Sequence, residues 1–156
     1  SFRFGDDGET VTWIARATIQ PMDIASAQLG PAIHHEDFIS ASALSPDGKL
    51  LATAAAGTIE GEFKPLVTIW DAHTGAQLAV FSDADTFSAL AFSPDSKLLA
   101  VGGKDKILFW NMENMQAAGE IPALTEFINA LQFSPDGRAL ISAASEGTVQ
   151  IWQVFR

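Results

Sequence analysis

Hydrophobic and polar positions along this chain alternate in short runs, and the runs are punctuated by one polar tetrad that recurs. Three times a short apolar segment enters Ser-Pro-Asp-(Gly/Ser), leaves in a second apolar segment, and is followed by a Trp. The copies are Ala43-Leu44-Ser45-Pro46-Asp47-Gly48-Lys49-Leu50-Leu51-Ala52, Ala91-Phe92-Ser93-Pro94-Asp95-Ser96-Lys97-Leu98-Leu99-Ala100 and Gln132-Phe133-Ser134-Pro135-Asp136-Gly137-Arg138-Ala139-Leu140-Ile141. The prolines fall at 46, 94 and 135 and the tryptophans at 70, 110 and 152. A period near 40 kept this regularly is a fold-level signal.

Each tetrad predicts a tight turn between two strands. Pro presets φ near −65°, Asp bonds nearby backbone, and the following Gly supplies a left-handed residue. Leu-Leu-Ala after the turn is a buried strand, and the runs Val67-Thr68-Ile69-Trp70, Ile107-Leu108-Phe109-Trp110 and Val149-Gln150-Ile151-Trp152 are its neighbours. A fourth strand follows at 77–81, and a weaker one at 118–121. Strands are expected near 39–44, 49–54, 66–71, 76–81, 87–92, 97–102, 106–110, 127–133, 138–144 and 148–153. Leu44, Leu51, Ile69, Trp70, Phe92, Leu99, Phe109, Trp110, Phe133, Leu140, Ile151 and Trp152 are the expected core. Residues 1–33 form a worn copy, with Asp7 forty positions before Asp47 and strands at 2–4, 11–15, 18–22 and 27–29. Met22 replaces the Trp there, and Pro21 predicts a distorted third strand because it cannot donate to a ladder. Four antiparallel strands per unit of about 40 residues is the pattern of a propeller blade.

With 156 residues, 47% hydrophobic and 18% charged, the composition is that of a globular chain able to bury a core. No segment approaches the roughly 18 consecutive apolar residues of a membrane helix, and no signal-peptide pattern opens the chain. Nine Lys plus Arg against 19 Asp plus Glu leave a net charge of −10. That repels phosphate backbones, so neither nucleic acid nor membrane is an expected partner and a basic or neutral one fits better. The absence of cysteine removes disulfides, zinc thiolates and Cys nucleophiles, and leaves the compartment open.

The unit at 34–81, with His34-His35, Ser-Pro-Asp-Gly-Lys-Leu-Leu-Ala and Ile69-Trp70-Asp71, resembles a WD40 repeat. That resemblance implies an all-β, WD40-type β-propeller, here a partial ring of about four four-stranded antiparallel blades, at 1–33, 34–81, 82–122 and 123–156. It places His35 at the family's histidine, Thr53 at its strand hydroxyl and Trp70-Asp71 at its eponymous dipeptide. Trp110, Ser142 and Trp152 stand at matching positions later, and all seven carry an implied structural role. The third unit has Asp83, and the fourth Leu124, where the histidine would stand; Asn111 and Gln153 replace the Asp. The segment 56–65 is longer than its counterparts.

No catalytic, metal or cofactor site is expected. The three histidines are His34, His35 and His73, the first two adjacent in sequence, and a metal needs ligands converging from several positions. Asp6-Asp7-Gly8-Glu9 lacks the ligand spacing of a calcium loop and is expected to be a turn. No nucleophile elbow, P-loop or dinucleotide fingerprint occurs, and Gly102-Gly103 suits a tight strand end better than a phosphate cradle. Two functions stay open: a non-catalytic protein-interaction scaffold, and a propeller enzyme or small-ligand sensor using a central channel. The innermost strands at 39–44, 87–92 and 128–133 supply mainly Ala, Ser, Leu and Phe with no converging charges, which favours the scaffold.

Family resemblance puts a protein or peptide partner at the first-strand entries and the loops between second and third strands. The candidates are Phe38, Ser40, Thr86, Ser88, Phe127 and Asn129, with Ile59, Glu60, Glu62 and Phe63 of the long loop. The opposing possibility is that Ile59 and Phe63 fold down on their own blade. The chain is also expected not to close a ring alone. Remaining blades would come from a longer parent protein, of which this would be a fragment or regulatory module, or from a homodimer.

Overall fold

The computed structural model describes residues 2–4, 10–15, 18–23, 27, 29–34, 38–59, 62–82 and 87–154. Among these there are fourteen β-strands and no helix. The chain divides into two compact units, Ser1–Ala84 and Asp85–Arg156.

The first unit holds two four-stranded antiparallel sheets. One is β1 (Phe2–Phe4), β2 (Thr10–Ala15), β3 (Thr18–Asp23) and β4 (Ile33–His34), paired in that order. The other is β5 (Ile39–Leu44), β6 (Leu50–Ile59), β7 (Glu62–Asp71) and β8 (Gln77–Ser82), also in order. Between them Ile19 and Ile33 pack with Ile39, Leu51 and Ala72, flanked by half-buried Leu44 and Trp70. Burying a side chain such as Leu51, which is 1% exposed, contributes about 1.5–3 kcal/mol.

In the second unit the strands are β9 (Ala89–Phe92), β10 (Leu98–Gly102), β11 (Lys104–Asn111), β12 (Gln116–Phe133), β13 (Ala139–Ala144) and β14 (Val149–Gln153). β12 is one strand shared by two sheets: its first part, from Gln116 to Pro122, pairs with β11, and Ile128 to Phe133 pair with β13. Ala89, Ala91, Ala100 and Ile107 of the third sheet thereby meet Ile128, Phe133 and Leu140 of the fourth, with Phe109 and Trp152 packed alongside.

The Ser-Pro-Asp turns are built alike. Ser45 Oγ donates to Asp47 Oδ1 at 2.7 Å and accepts the Leu50 amide at 2.8 Å, while Asp47 Oδ1 accepts the Lys49 amide at 3.2 Å. Ser93 with Asp95 and Ser134 with Asp136 repeat all three bonds. Fully buried Ser45 and Ser93 are thus satisfied. The fourth turn residue is left-handed each time, Gly48 at φ 70°, Ser96 at 61° and Gly137 at 69°, so the third-unit turn holds a serine where glycine costs least.

Three expectations need correction. Ile151 is not core: it is 71% exposed, on the face of the fourth sheet opposite the one that packs on the third. The fourth strand of the first sheet is not at 27–29. Among the described residues a Met22–Leu29 bridge forms there, and the strand paired with β3 is Ile33–His34, opposite Thr18 and Ile19. Pro21 lies in β3 without disturbing its register on β2; the interruption falls instead on the β4 side of Gln20 and Pro21. The strand expected at 118–121 is present, as part of the unbroken 18-residue β12.

Candidate partner-binding surface

The tryptophans tie second strand to third. Trp70 Nε1 donates to Thr53 Oγ1 at 2.9 Å, and Thr53 Oγ1 donates to the Thr68 carbonyl at 3.4 Å. Trp152 Nε1 donates to Ser142 Oγ at 3.0 Å. In the third sheet Val101 occupies the hydroxyl's register, opposite Leu108 and diagonal to half-buried Trp110. After Trp70 and Trp110 the chain turns on an Asx motif: Asp71 Oδ1 accepts the His73 and Thr74 amides at 2.9 and 2.7 Å, and Asn111 Oδ1 those of Glu113 and Asn114 at 2.8 and 3.2 Å. The Thr74 amide bond is the main cause holding the Asp71 carboxyl below its ordinary value. His35 lies outside the described residues.

Of the sequence-predicted partner residues, Phe38 and Ser40, and Phe127 and Asn129, fall at the opposite strand ends, at two recurring irregularities. A register shift interrupts the β5–β6 ladder between Ile39 and Ala41, and the β12–β13 ladder between Ile128 and Ala130. The bulged residues are Ser40 and Asn129. Bulges re-aim a side chain and locally end pairing. Ser40 Oγ donates to the Ala54 carbonyl at 3.1 Å, and Asn129 Nδ2 to Ser145 Oγ at 3.1 Å. In front of each bulge stands a buried Ile, Ile39 or Ile128, and in front of that an exposed Phe: Phe38 at 71% and Phe127 at 39%.

Around Phe127 the second unit brings several of these residues together. The Ser145 amide donates to the Phe127 carbonyl at 3.0 Å, the Ser88 amide to the Gly102 carbonyl at 3.0 Å, and Ser88 Oγ to the Ile128 carbonyl. Lys104, exposed at the start of β11, pairs in register with Phe127. A Cβ on Gly102 would sit 2.8 Å from Ile128 Cγ2, so this glycine permits the close approach of β10 and β12. Lys104 and Ser145 were not singled out from sequence, although both sit between second and third strands, where only the long segment drew notice.

The long segment of the first unit is a hairpin, not a coil. β6 and β7 stay paired out to Thr58–Phe63 and Ile59–Glu62, four residue pairs beyond the Ala55–Leu66 pair that lies level with the start of β5. Ile59, Glu62 and Phe63 are therefore at its tip. Glu60 and Thr86 lie outside the described residues. Among the described residues, no three His, Cys, Asp or Glu side chains gather as a metal site would need.

Repeated four-stranded sheets, tied by Trp to a strand hydroxyl and turned by matched Ser-Asp and Asx motifs, define a blade-repeat protein of the β-propeller class. The profile of the WD domain, G-beta repeat, matches residues 29–60 and 64–111, about half of the chain, and that of the Anaphase-promoting complex subunit 4 WD40 domain matches residues 90–156. The chain belongs to the WD40-repeat family. It is similar to WD repeat-containing protein 90 of Mus musculus, 30% identical over 159 residues, covering 95% of this chain and 8% of that protein. To Small ribosomal subunit protein RACK1y of Oryza sativa subsp. japonica it is 27% identical over 127 residues, covering 77% of this chain and 36% of that protein. The chain thus spans well under half the length of either relative.

Proposed function

We propose that this chain is a non-catalytic scaffold that binds a protein or peptide partner through strand-entry surfaces of its blades, one carrying Phe38 and Ser40 and another carrying Ser88, Phe127 and Asn129. The observation that carries this reading is the repeated triplet: Phe38-Ile39-Ser40 and Phe127-Ile128-Asn129 share one register, with the Ile buried, the Phe exposed and the polar residue bulged. An exposed aromatic held by a buried neighbour and ringed by polar groups is the composition of an interface hot spot. Ile59, Glu60, Glu62 and Phe63, and Thr86, are candidates for the same role. The repeats at 1–33, 34–81, 82–122 and 123–156 serve as the blades that present these residues, with neither metal nor cofactor.

The test is capture of the partner from the native source followed by titration of that isolated partner. Phe127→Ala and Phe38→Ala should each weaken binding by at least about tenfold, the cost of losing an aromatic anchor. Leu78→Ala, on the outer strand β8, should leave it unchanged. Undiminished affinity in both Phe variants would place the site elsewhere.

A further inference from the structure

In the second sheet one hairpin outruns its neighbours. The β6–β7 ladder continues four residue pairs past Ala55–Leu66, where β5 pairs no further on one side and β8 no further on the other. At roughly 3.3 Å per residue the overhang is about 13 Å long. The β10–β11 hairpin, by contrast, turns directly after Gly102–Ile107, level with Ala89 of β9.

Which backbone groups the overhang presents follows from the register. The Ala72 amide donates to the Lys49 carbonyl at 2.9 Å, so Lys49–Ala72 is a hydrogen-bonded pair. The ladder from Leu50–Asp71 to Ile59–Glu62 has no register shift, and bonded pairs alternate with unbonded ones along it. Gly57–Lys64 and Ile59–Glu62 are therefore bonded pairs. Ala56 and Thr58 turn their backbone polar groups to the β5 side, as Ala54 does, whose carbonyl accepts Ser40 Oγ. Among the described residues no strand pairs with β6 there. On the β8 side the outward residues are Phe63 and Pro65, and proline has no amide to donate. The overhang is thus blunted along β7 and open along β6, whose Ala56-Gly57-Thr58-Ile59 contains neither charge nor proline.

We infer that this β6 edge takes a basic, extended segment of the partner as an added strand. The inference rests on the partner reading above and names the class of partner. A row of outward amides and carbonyls is complemented by another extended backbone. Charge sets the rest. Glu36 and Asp37 directly precede Phe38 at the base of the overhang, and covalent geometry alone keeps them within about 7 Å of its Cα. Glu62 pairs with Ile59 at the far end, with Glu60 between them in sequence, and Lys64 is the one basic residue of the hairpin. A strand carrying Lys or Arg therefore meets opposite charge at both ends of the edge, where an acidic one would be repelled. Phe38, 71% exposed, adds an aromatic ring at the base for an apolar or cationic side chain.

Panning a displayed library of random peptides against the 156-residue chain, then titrating the selected peptides, tests this. The selected peptides should be rich in Lys and Arg, and their binding should slow hydrogen exchange at the Thr58 amide. Thr58→Pro removes that amide while sparing the bonded pairs on either side, and should weaken binding by at least about tenfold. Thr58→Ala, which keeps the amide, should not. Glu62→Lys is the second variant should Thr58→Pro lose its far-ultraviolet β signal, with a similar loss expected for basic peptides. An empty selection, one without basic residues, or a bound peptide that leaves the Thr58 amide unprotected overturns the inference. If peptides that fail in this way are still weakened by Phe38→Ala, the strand-entry surface stands without the added strand; if they are indifferent to it, that reading falls as well.

Discussion

Trp70 reaches across the β6–β7 ladder to donate its indole N–H to the hydroxyl of Thr53, 2.9 Å away and completely buried. The bond lies diagonally, since Thr53 itself pairs with Thr68 and Trp70 with Leu51. Thr53→Val keeps the shape, deletes the acceptor and leaves the indole N–H without this bond. It should lower unfolding free energy by about 1–2 kcal/mol, measured as a fall in urea midpoint at constant slope. Ser142→Ala tests the same tie for Trp152.

The Ser-Asp turn makes opposite predictions for two neighbouring positions. Ser93→Ala removes both the acceptor of the Leu98 amide and the donor to Asp95 from a fully buried site, at a cost of about 1–3 kcal/mol. Ser96→Gly relieves a left-handed serine and should raise stability by about 0.5–1 kcal/mol, the relief being partly offset by a more flexible unfolded chain. Thermal midpoints of the two variants should move in opposite directions.

Asp71 predicts a pH dependence. Hydrogen bonds, first that from the Thr74 amide, lower its folded pKa below 3.8, so the fold prefers the carboxylate. The stability this gives is present above the unfolded value and is lost as pH falls through 3.8 toward the folded one. Asn can accept the same two amides, as Asn111 does. The melting-temperature gap between wild type and Asp71→Asn should therefore be widest at neutral pH and close below pH 3.8.

Gly102→Ala should be destabilising by about 1–3 kcal/mol, because the added Cβ would lie 2.8 Å from Ile128 Cγ2 and 3.2 Å from Leu131 Cδ1. The displaced segment is β12 just beside Phe127, so the variant should also perturb the partner surface. Denaturant titration together with partner titration reads both effects.

Much of the architecture was legible because it is local. The Ser-Pro-Asp turns at 45–48, 93–96 and 134–137 are written in contiguous residues whose backbone preferences are intrinsic, and the Trp spacing repeats the unit. The candidate partner residues Phe38 and Phe127 came from the family resemblance. Tertiary packing decided the rest. Val67 and Ile69 are buried while Val149 and Ile151, at the same strand positions with the same side chains, are exposed. Alternation tells which side chains share a face, but only a neighbouring sheet tells which face is covered. Nor could the sequence show that Ser40 and Asn129 are bulged, since a bulge belongs to two strands in register. Likewise β12 runs without a break through two sheets because β11 and β13 pair with its successive halves, a long-range choice that no short window of residues contains.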